Sequence, residues 1–216
     1  MCEKPLAYGL RDAEAMVANC LRCNVELFVN YMRCSDPGVV TVRRMIQEDE
    51  IQSPVKGVVW YSKGLIHNGS HFVHLVRRWF GAPRGASLIR AGRSWGDLDV
   101  EPEFLMEYAN AAMTFLAARE ECFSHYTVEL VARNGRLRYE AGGARIGWQR
   151  VIDDPESPGY RVLEPEPTLV RSDMTRSQLN VVDQLENALN GMPFDLCTGV
   201  EALETLRDIH RIIELR

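Results

Sequence analysis

Tyr126-Thr-Val-Glu-Leu-Val-Ala-Arg-Asn-Gly-Arg-Leu-Arg-Tyr-Glu-Ala141 sets two β-rich runs on either side of Asn134-Gly135. Asn-Gly readily takes the left-handed conformations of a two-residue turn, so the stretch predicts a β-hairpin. The β-rich character extends outward from about residue 86 to 170. Phe104 to Leu116 is long and apolar, and its surroundings favour strand over helix. Asp153 to Tyr160 carries two prolines and a glycine and reads as a surface loop. Upstream, Val55 to Tyr61 is a further β-rich run.

Helical spacing flanks this region. Residues 10–21 repeat apolar groups at helical intervals, and Asp36-Pro37 marks a helix start whose buried stripe is Val39, Val42, Met45 and Ile46. Near the end, Thr175 to Asn190 places Leu179, Val182, Leu185 and Leu189 on one face. A last helix starts at Thr198, whose capping box with Glu201 precedes Leu203, Leu206, Ile209 and Ile213. These patterns predict an α+β fold: a sheet with helices on one face. The first helix and the alternating Val25-Leu27-Val29 strand look like a fragment of α/β architecture, too small to bury its own faces. The expected division is 1–31 for that fragment and 32–216 for the α+β domain.

The 216 residues suffice for a substantial core, and 46% apolar with 25% charged residues is ordinary for a soluble globular protein. A net charge of -5 gives no footprint for nucleic acid. No apolar run reaches a membrane span, and Met1-Cys2-Glu3-Lys4-Pro5 is not expected to open a signal peptide, so a cytoplasmic setting is expected. Six cysteines in such a setting are read as reduced thiols. Cys20-Leu-Arg-Cys23 has metal or redox spacing, but no second pair or nearby histidine completes a site.

The chemistry concentrates in Gly64-Leu-Ile-His-Asn-Gly-Ser-His-Phe-Val-His-Leu-Val-Arg-Arg-Trp-Phe-Gly81, which reads as a loop entering a helix and holds three of the five histidines. Offsets of four and seven would align His67, His71 and His74 on one helical face, beside Asn68 and Ser70. Two histidines four apart are also a zinc geometry, but no glutamate lies between them and no acidic ligand follows, so no metal is expected. Trp60, Tyr61 and Lys63 could line a carbohydrate pocket; equally, they could be a strand end packed on the core.

Glu3-Lys4-Pro5, a helix, a strand, Arg33, and then Gly69-Ser70-His71 resemble, in that order, the Gfo/Idh/MocA oxidoreductases. These pair an N-terminal Rossmann domain with a C-terminal α+β domain, so the resemblance implies a large, mostly antiparallel open sheet with helices on one face. The resemblance covers essentially the whole chain, but only the latter part of the family pattern. It implies that residues 1–31 are a helix–strand remnant of the Rossmann domain, and that 32–216 bind substrate and form homo-oligomers through the sheet. It further implies NAD or NADP as cofactor, Glu3, Lys4 and Pro5 beside it, Lys4, His71 and His67 as catalytic groups, and a sugar-like small molecule as substrate. Asn30, Tyr31, Arg33 and Asn68 join Trp60, Tyr61 and Lys63 as candidate substrate contacts. The sequence departs from the pattern at His67 and His74, where the family commonly has aspartate. It departs again at Cys34 and Ser35, where an aromatic usually follows the arginine.

The Gly-x-Gly-x-x-Gly turn that would hold a dinucleotide pyrophosphate is not in the sequence, and Gly142-Gly143 leads into no helix. The chain alone is therefore not expected to bind NAD(P). Two readings follow: the substrate-binding part of a sugar oxidoreductase, or a non-catalytic remnant or interaction module of that family.

Overall fold

A computed structural model describes all 216 residues. The chain opens with α1 (Leu10–Arg22) and β1 (Phe28–Val29), then a 3₁₀ turn over Met32–Ser35 and α2 (Pro37–Gln47). Asp36 caps α2 as its sequence predicts: Oδ1 accepts from the amides of Gly38 at 2.9 Å and Val39 at 3.2 Å. Its Oδ2 accepts from the amide of Asp173 at 2.7 Å, tying the C-terminal segment to the same cap. β2 (Val55–Tyr61) leads through a wide π-type turn, Gly64–Gly69, into α3 (Ser70–Phe80).

The strands that follow are β3 (Gly85–Trp95), β4 (Asp99–Glu107), β5 (Ala111–Ala117), β6 (Thr127–Ala132), β7 (Gly135–Glu140), β8 (Arg145–Asp153), β9 (Arg161–Leu163) and β10 (Thr168–Val170). With β2 they form one nine-stranded sheet in the order β10-β8-β7-β6-β2-β5-β4-β3, with β9 paired to β8. Only β2–β5 is parallel; the remaining pairs are antiparallel. The period-2 alternation puts Val59, Tyr61, Phe104, Met106, Met113, Phe115, Val128, Leu130, Leu137, Tyr139, Ile146 and Trp148 in the core. The α+β class and the mostly antiparallel open sheet are as expected.

Three local readings are corrected. Phe104 to Leu116 is not one strand but the end of β4 and most of β5, turning at Tyr108–Asn110. Its turn is built from residues that carry no glycine or proline signal. At the 126–141 hairpin the strands form as expected, but Asn134 does not take a positive φ. Its side chain instead accepts from the Gln52 amide and donates to the Glu50 carbonyl, both at 2.9 Å. Gly135 is required by close packing, since a Cβ there would lie 2.5 Å from Trp148. The strand over Val25–Val29 shrinks to two residues because the Val25 amide still donates to the Cys20 carbonyl at the end of α1; the remaining pair is bridged in parallel by Cys2 and pairs antiparallel with β11 (Cys197–Thr198).

Before β11 comes α4 (Ser177–Leu189), and after it α5 (Gly199–Glu214), which starts with the expected Thr198–Glu201 capping box. On α4 the expected buried face is largely turned outward, and of its four residues only Leu185 packs inward. Leu179, Val182 and Leu189 are 52%, 58% and 75% exposed, whereas Val181 packs with Phe28 and Leu196 in a small cluster of its own. Elsewhere one core is continuous: Leu6, Ala13, Val17 and Val29 pack in the same cluster as the sheet and the inner face of α5. Arg77 and Arg78 of α3 pair with Asp208 at 2.5 Å and Glu201 at 2.8 Å, fixing α3 against α5. No helix is long and apolar enough to cross a membrane.

The turn before α3 is held by β4. Asp99, which is buried, accepts from the amides of Ile66 at 3.0 Å, His67 at 2.7 Å and Val100 at 2.7 Å. Glu101, also buried, accepts from the Gly64 amide at 3.2 Å and pairs with Arg93 at 2.7 Å. Hydrogen bonds to a charged acceptor contribute more than neutral ones, and stranded buried amides are costly. Asp99→Ala is therefore expected to lower unfolding stability by about 3–4 kcal/mol. Urea unfolding of the two proteins measures this, and a loss below about 1 kcal/mol contradicts the assigned role.

Candidate functional site

Three segments meet at the N-terminal end of α3. Glu3-Lys4 leaves the Cys2–Val29 bridge, Asn30 to Arg33 follows β1, and His67 to His74 spans the π-type turn and the start of α3. The Lys4 ammonium donates to the backbone carbonyl of His67. Asn30 Nδ2 donates to Glu3 Oε1 at 2.9 Å and to Gln178 Oε1 of α4 at 3.2 Å. Tyr31 is buried, stacked on His74 with ring centroids 4.6 Å apart and edge-on to His71 at 5.5 Å. The Arg33 guanidinium lies over the Phe72 ring at 5.0 Å.

Burial and neighbouring cations set the protonation states. Burial, then Arg33 and Lys4, hold His71 well below the usual histidine range, so its imidazole is neutral at pH 7. Burial, then Arg78, pushes His74 down to about 3. Partial burial, then Lys4, lowers His67, and partial burial, then Arg33, lowers Lys4. Lys4, Arg33, His67 and His71 thus lie within electrostatic reach of one another.

The buried side-chain nitrogen and oxygen atoms that lack a hydrogen-bond partner are Asn30 Oδ1, Arg33 Nε and Nη1, Ser70 Oγ, His71 Nδ1 and His74 Nε2. All six lie on two short segments, 30–33 and 70–74. Buried polar groups are nearly always paired, so this concentration of unpaired ones sets the two segments apart from the rest of the core.

The structure brings together Glu3, Lys4, Asn30, Tyr31, Arg33, His67 and His71, and separates others from them. Tyr61 points into the core, fully buried, with its hydroxyl donating to the Pro102 carbonyl at 2.5 Å; it is a packing residue. Trp60 lies on the opposite face of the sheet, edge-on to His125. Lys63 pairs with Glu120 at 3.0 Å, and Asn68 donates to the Ser62 carbonyl at 3.0 Å within its own turn. The three histidines do not share one face, because the wider turn at 64–69 breaks the helical spacing: His67 is exposed, whereas His71 and His74 are buried. No three His, Cys, Asp or Glu side chains are grouped to hold a metal ion. Sequence reasoning missed Asp99, Glu101 and Gln178. Each acts through a contact more than thirty residues away, and no local pattern reveals it.

No family model and no curated protein matches the sequence. Solved structures do match in shape. The aldose–aldose oxidoreductase of Caulobacter crescentus, solved with glycerol, superposes with a TM-score of 0.74 at 17% identity, over 100% of this chain and 69% of that one. An NAD-binding oxidoreductase from Klebsiella pneumoniae gives 0.77 at 16% identity, over 99% and 70%. The WlbA dehydrogenase of Bordetella pertussis, solved with NADH and UDP-GlcNAcA, gives 0.72 at 15%, over 98% and 69%. The chain has the fold of the Gfo/Idh/MocA-type oxidoreductases, along some 69% of their length.

Proposed function

We propose that this chain is the substrate-binding part of an NAD(P)-dependent oxidoreductase that acts on a sugar, sugar derivative or related polyol, moving a hydride at a hydroxyl-bearing or carbonyl carbon. The observation that carries this reading is the convergence of Lys4, His67 and His71 on the two segments that hold the unpartnered buried polar atoms. The similar folds of an aldose–aldose oxidoreductase solved with glycerol and of a dehydrogenase solved with UDP-GlcNAcA support a carbohydrate-like ligand. In the same reading, residues 1–31 close a dinucleotide-binding domain and 32–216 form the substrate domain.

Removing a hydride from a carbinol carbon leaves a hydroxyl proton to be taken up. His71, neutral at pH 7, has the free lone pair this needs, and its depressed pKa makes the imidazolium quick to return the proton in the reverse direction. Lys4 stabilises the developing negative charge on the substrate oxygen. His67, whose carbonyl anchors Lys4, sits on the exposed side of the same group. Asn30, Tyr31 and Arg33 form the remaining wall.

A nicotinamide dinucleotide, when bound, supplies the hydride acceptor. Glu3, Lys4 and Pro5 would face its nicotinamide end, where the half-buried Lys4 and the unpartnered Ser70 and His71 atoms suit a polar ligand. Residues 1–216 hold no glycine-rich turn for the pyrophosphate. Assembly into homo-oligomers uses the sheet face turned away from the helices, where Trp60, Leu116, Val131 and Leu169 interrupt the polar residues.

Three outcomes are expected. Calorimetry of the 216-residue chain with NADH or NADPH shows no micromolar binding; micromolar affinity contradicts the assignment of the pyrophosphate site elsewhere. In a fusion carrying a dinucleotide-binding domain ahead of Met1, His71→Ala lowers turnover by roughly 10²–10⁴-fold with a much smaller change in substrate affinity. His74→Ala costs less, and His67→Asp keeps substantial activity. Steady-state kinetics decides, and parental turnover in His71→Ala removes His71 from the proton path. Sedimentation velocity shows a dimer or larger species; a single monomer across a wide concentration range rules out assembly through the sheet.

A further inference from the structure

The turn that carries His67 is entered through two residues in the left-handed region, Lys63 at φ 62° and Gly64 at φ 77°. Glycine takes that conformation freely, but a lysine does so at a cost and needs something to hold it there. Glu120, in the connection between β5 and β6, supplies the hold. Its Oε1 pairs with the Lys63 ammonium at 3.0 Å, and its Oε2 accepts from Ser62 Oγ at 2.7 Å. Ser124 Oγ at 2.5 Å and the Tyr126 hydroxyl at 2.9 Å complete the partners of this carboxylate. These bonds, that from Ser124 foremost, hold the Glu120 carboxyl down to about 2, so it is ionised at neutral pH. The next residue, Glu121, reaches the turn by a longer route: it pairs with Arg93 at 2.7 Å, and Arg93 pairs with the Glu101 that accepts the Gly64 amide. Its side chain is 49% exposed against 15% for Glu120, and exposed ion pairs contribute little, so Glu120 is the firmer of the two.

The hold extends into the turn. Ser62, fully buried, offers its carbonyl to Asn68 Nδ2 at 3.0 Å, which closes the turn on its own entry. The peptide group between His67 and Asn68 is the one whose carbonyl accepts from the Lys4 ammonium. A peptide group is planar and turns as a unit, so anchoring Asn68 sets the direction of that carbonyl. Asp99 accepts the His67 amide at 2.7 Å and thereby fixes the peptide before His67. Glu120 fixes the peptide after it, at two removes, through Ser62 and then Asn68. An anchor for the β5–β6 connection alone would need only Ser124 and Tyr126, which belong to that connection; the bonds to Ser62 and Lys63 leave it for the turn.

We propose that Glu120 is a positioning residue for Lys4: through Ser62 and Asn68 it aims the His67 carbonyl that holds the Lys4 ammonium at the site. This rests on the oxidoreductase reading for what Lys4 does there, but the placement of the ammonium is a property of the chain alone. Lys63 and Asn68 then serve the turn and not the substrate.

The chain has only three lysines, Lys4, Lys56 and Lys63, so NMR of lysine-labelled protein resolves the Lys4 side chain. In the 216-residue chain, Glu120→Ala is expected to shift the Lys4 ammonium signal and to speed exchange of its Nζ protons with water at least threefold. Asn68→Ala is expected to do the same, and the double variant to add nothing further. Tyr126→Phe and Ser124→Ala remove bonds to the same carboxylate without touching the turn. They are expected to lower the melting temperature and leave the Lys4 signal in place. If Glu120→Ala does not fold, Ser62→Ala, which removes a single hydroxyl, carries the same expectations. The proposal is overturned if Lys4 does not respond to Glu120→Ala or its Ser62→Ala substitute, if Tyr126→Phe or Ser124→Ala moves it as far, or if the effects of Glu120→Ala and Asn68→Ala simply add. In the dinucleotide-domain fusion, Glu120→Ala is expected to lower turnover at least tenfold with a smaller change in KM. A parent fusion without hydride transfer, with Lys4 displaced as expected in the chain, defeats the oxidoreductase reading alone. An active fusion in which Glu120→Ala keeps parental turnover defeats this proposal alone.

Discussion

The carboxylate of Asp99 holds the centre of this structure in place. By accepting three backbone amides, two from the π-type turn and one from its own strand, it fixes the path of the chain between β2 and α3. That path decides where His67 faces, which carbonyl is offered to Lys4, and where the first turn of α3 begins. A turn of this width leaves amide groups without helical partners, and in a buried position only a fixed acceptor can satisfy them. The sheet therefore does more than support α3: β4 supplies the groups that shape the turn bearing the candidate chemistry.

Around that turn the molecule accepts local instability. A neutral imidazole held against two cations, a half-buried lysine and an arginine with no partner each lower the stability of the free chain. The continuous core of aromatic and branched residues across the sheet offsets these costs. Such a division, with a well-paired scaffold and an underpaired patch, is how a site keeps polar groups ready for a ligand without reorganising when it arrives.

Much of the architecture was legible because it rests on local periodicity. The Asp36 cap, the Thr198–Glu201 capping box and the 126–141 hairpin all express short-range rules, and each forms where the sequence places it. The failures share a cause. The α4 pattern named an apolar stripe but could not say that the helix lies against the molecule by its Val181 side. Asn134-Gly135 signalled a hairpin correctly, yet the glycine answers to Trp148 and the asparagine to the Glu50–Gln52 backbone. The histidine spacing suggested one face, whereas Asp99 and Glu101 widen the turn and split the three residues. Of the site, Lys4, Arg33 and His71 could be named from motif order; the atoms left unpaired around them depend on packing between distant segments and were not readable.

The small cluster under α4 has a bearing on motion. This helix is seated through Val181 on Phe28 and Leu196, apart from the main core, while much of its apolar surface faces outward. Elements with so little buried area detach in sub-global openings well below the free energy of complete unfolding. Gln178, in the first turn of α4, is one of the two groups that hold the Asn30 amide. Each excursion of the helix would then free Asn30 on one side while Glu3 keeps its grip on the other. One wall of the candidate site is in this way coupled to a helix seated apart from the main core, and the opposite wall to the nine-stranded sheet.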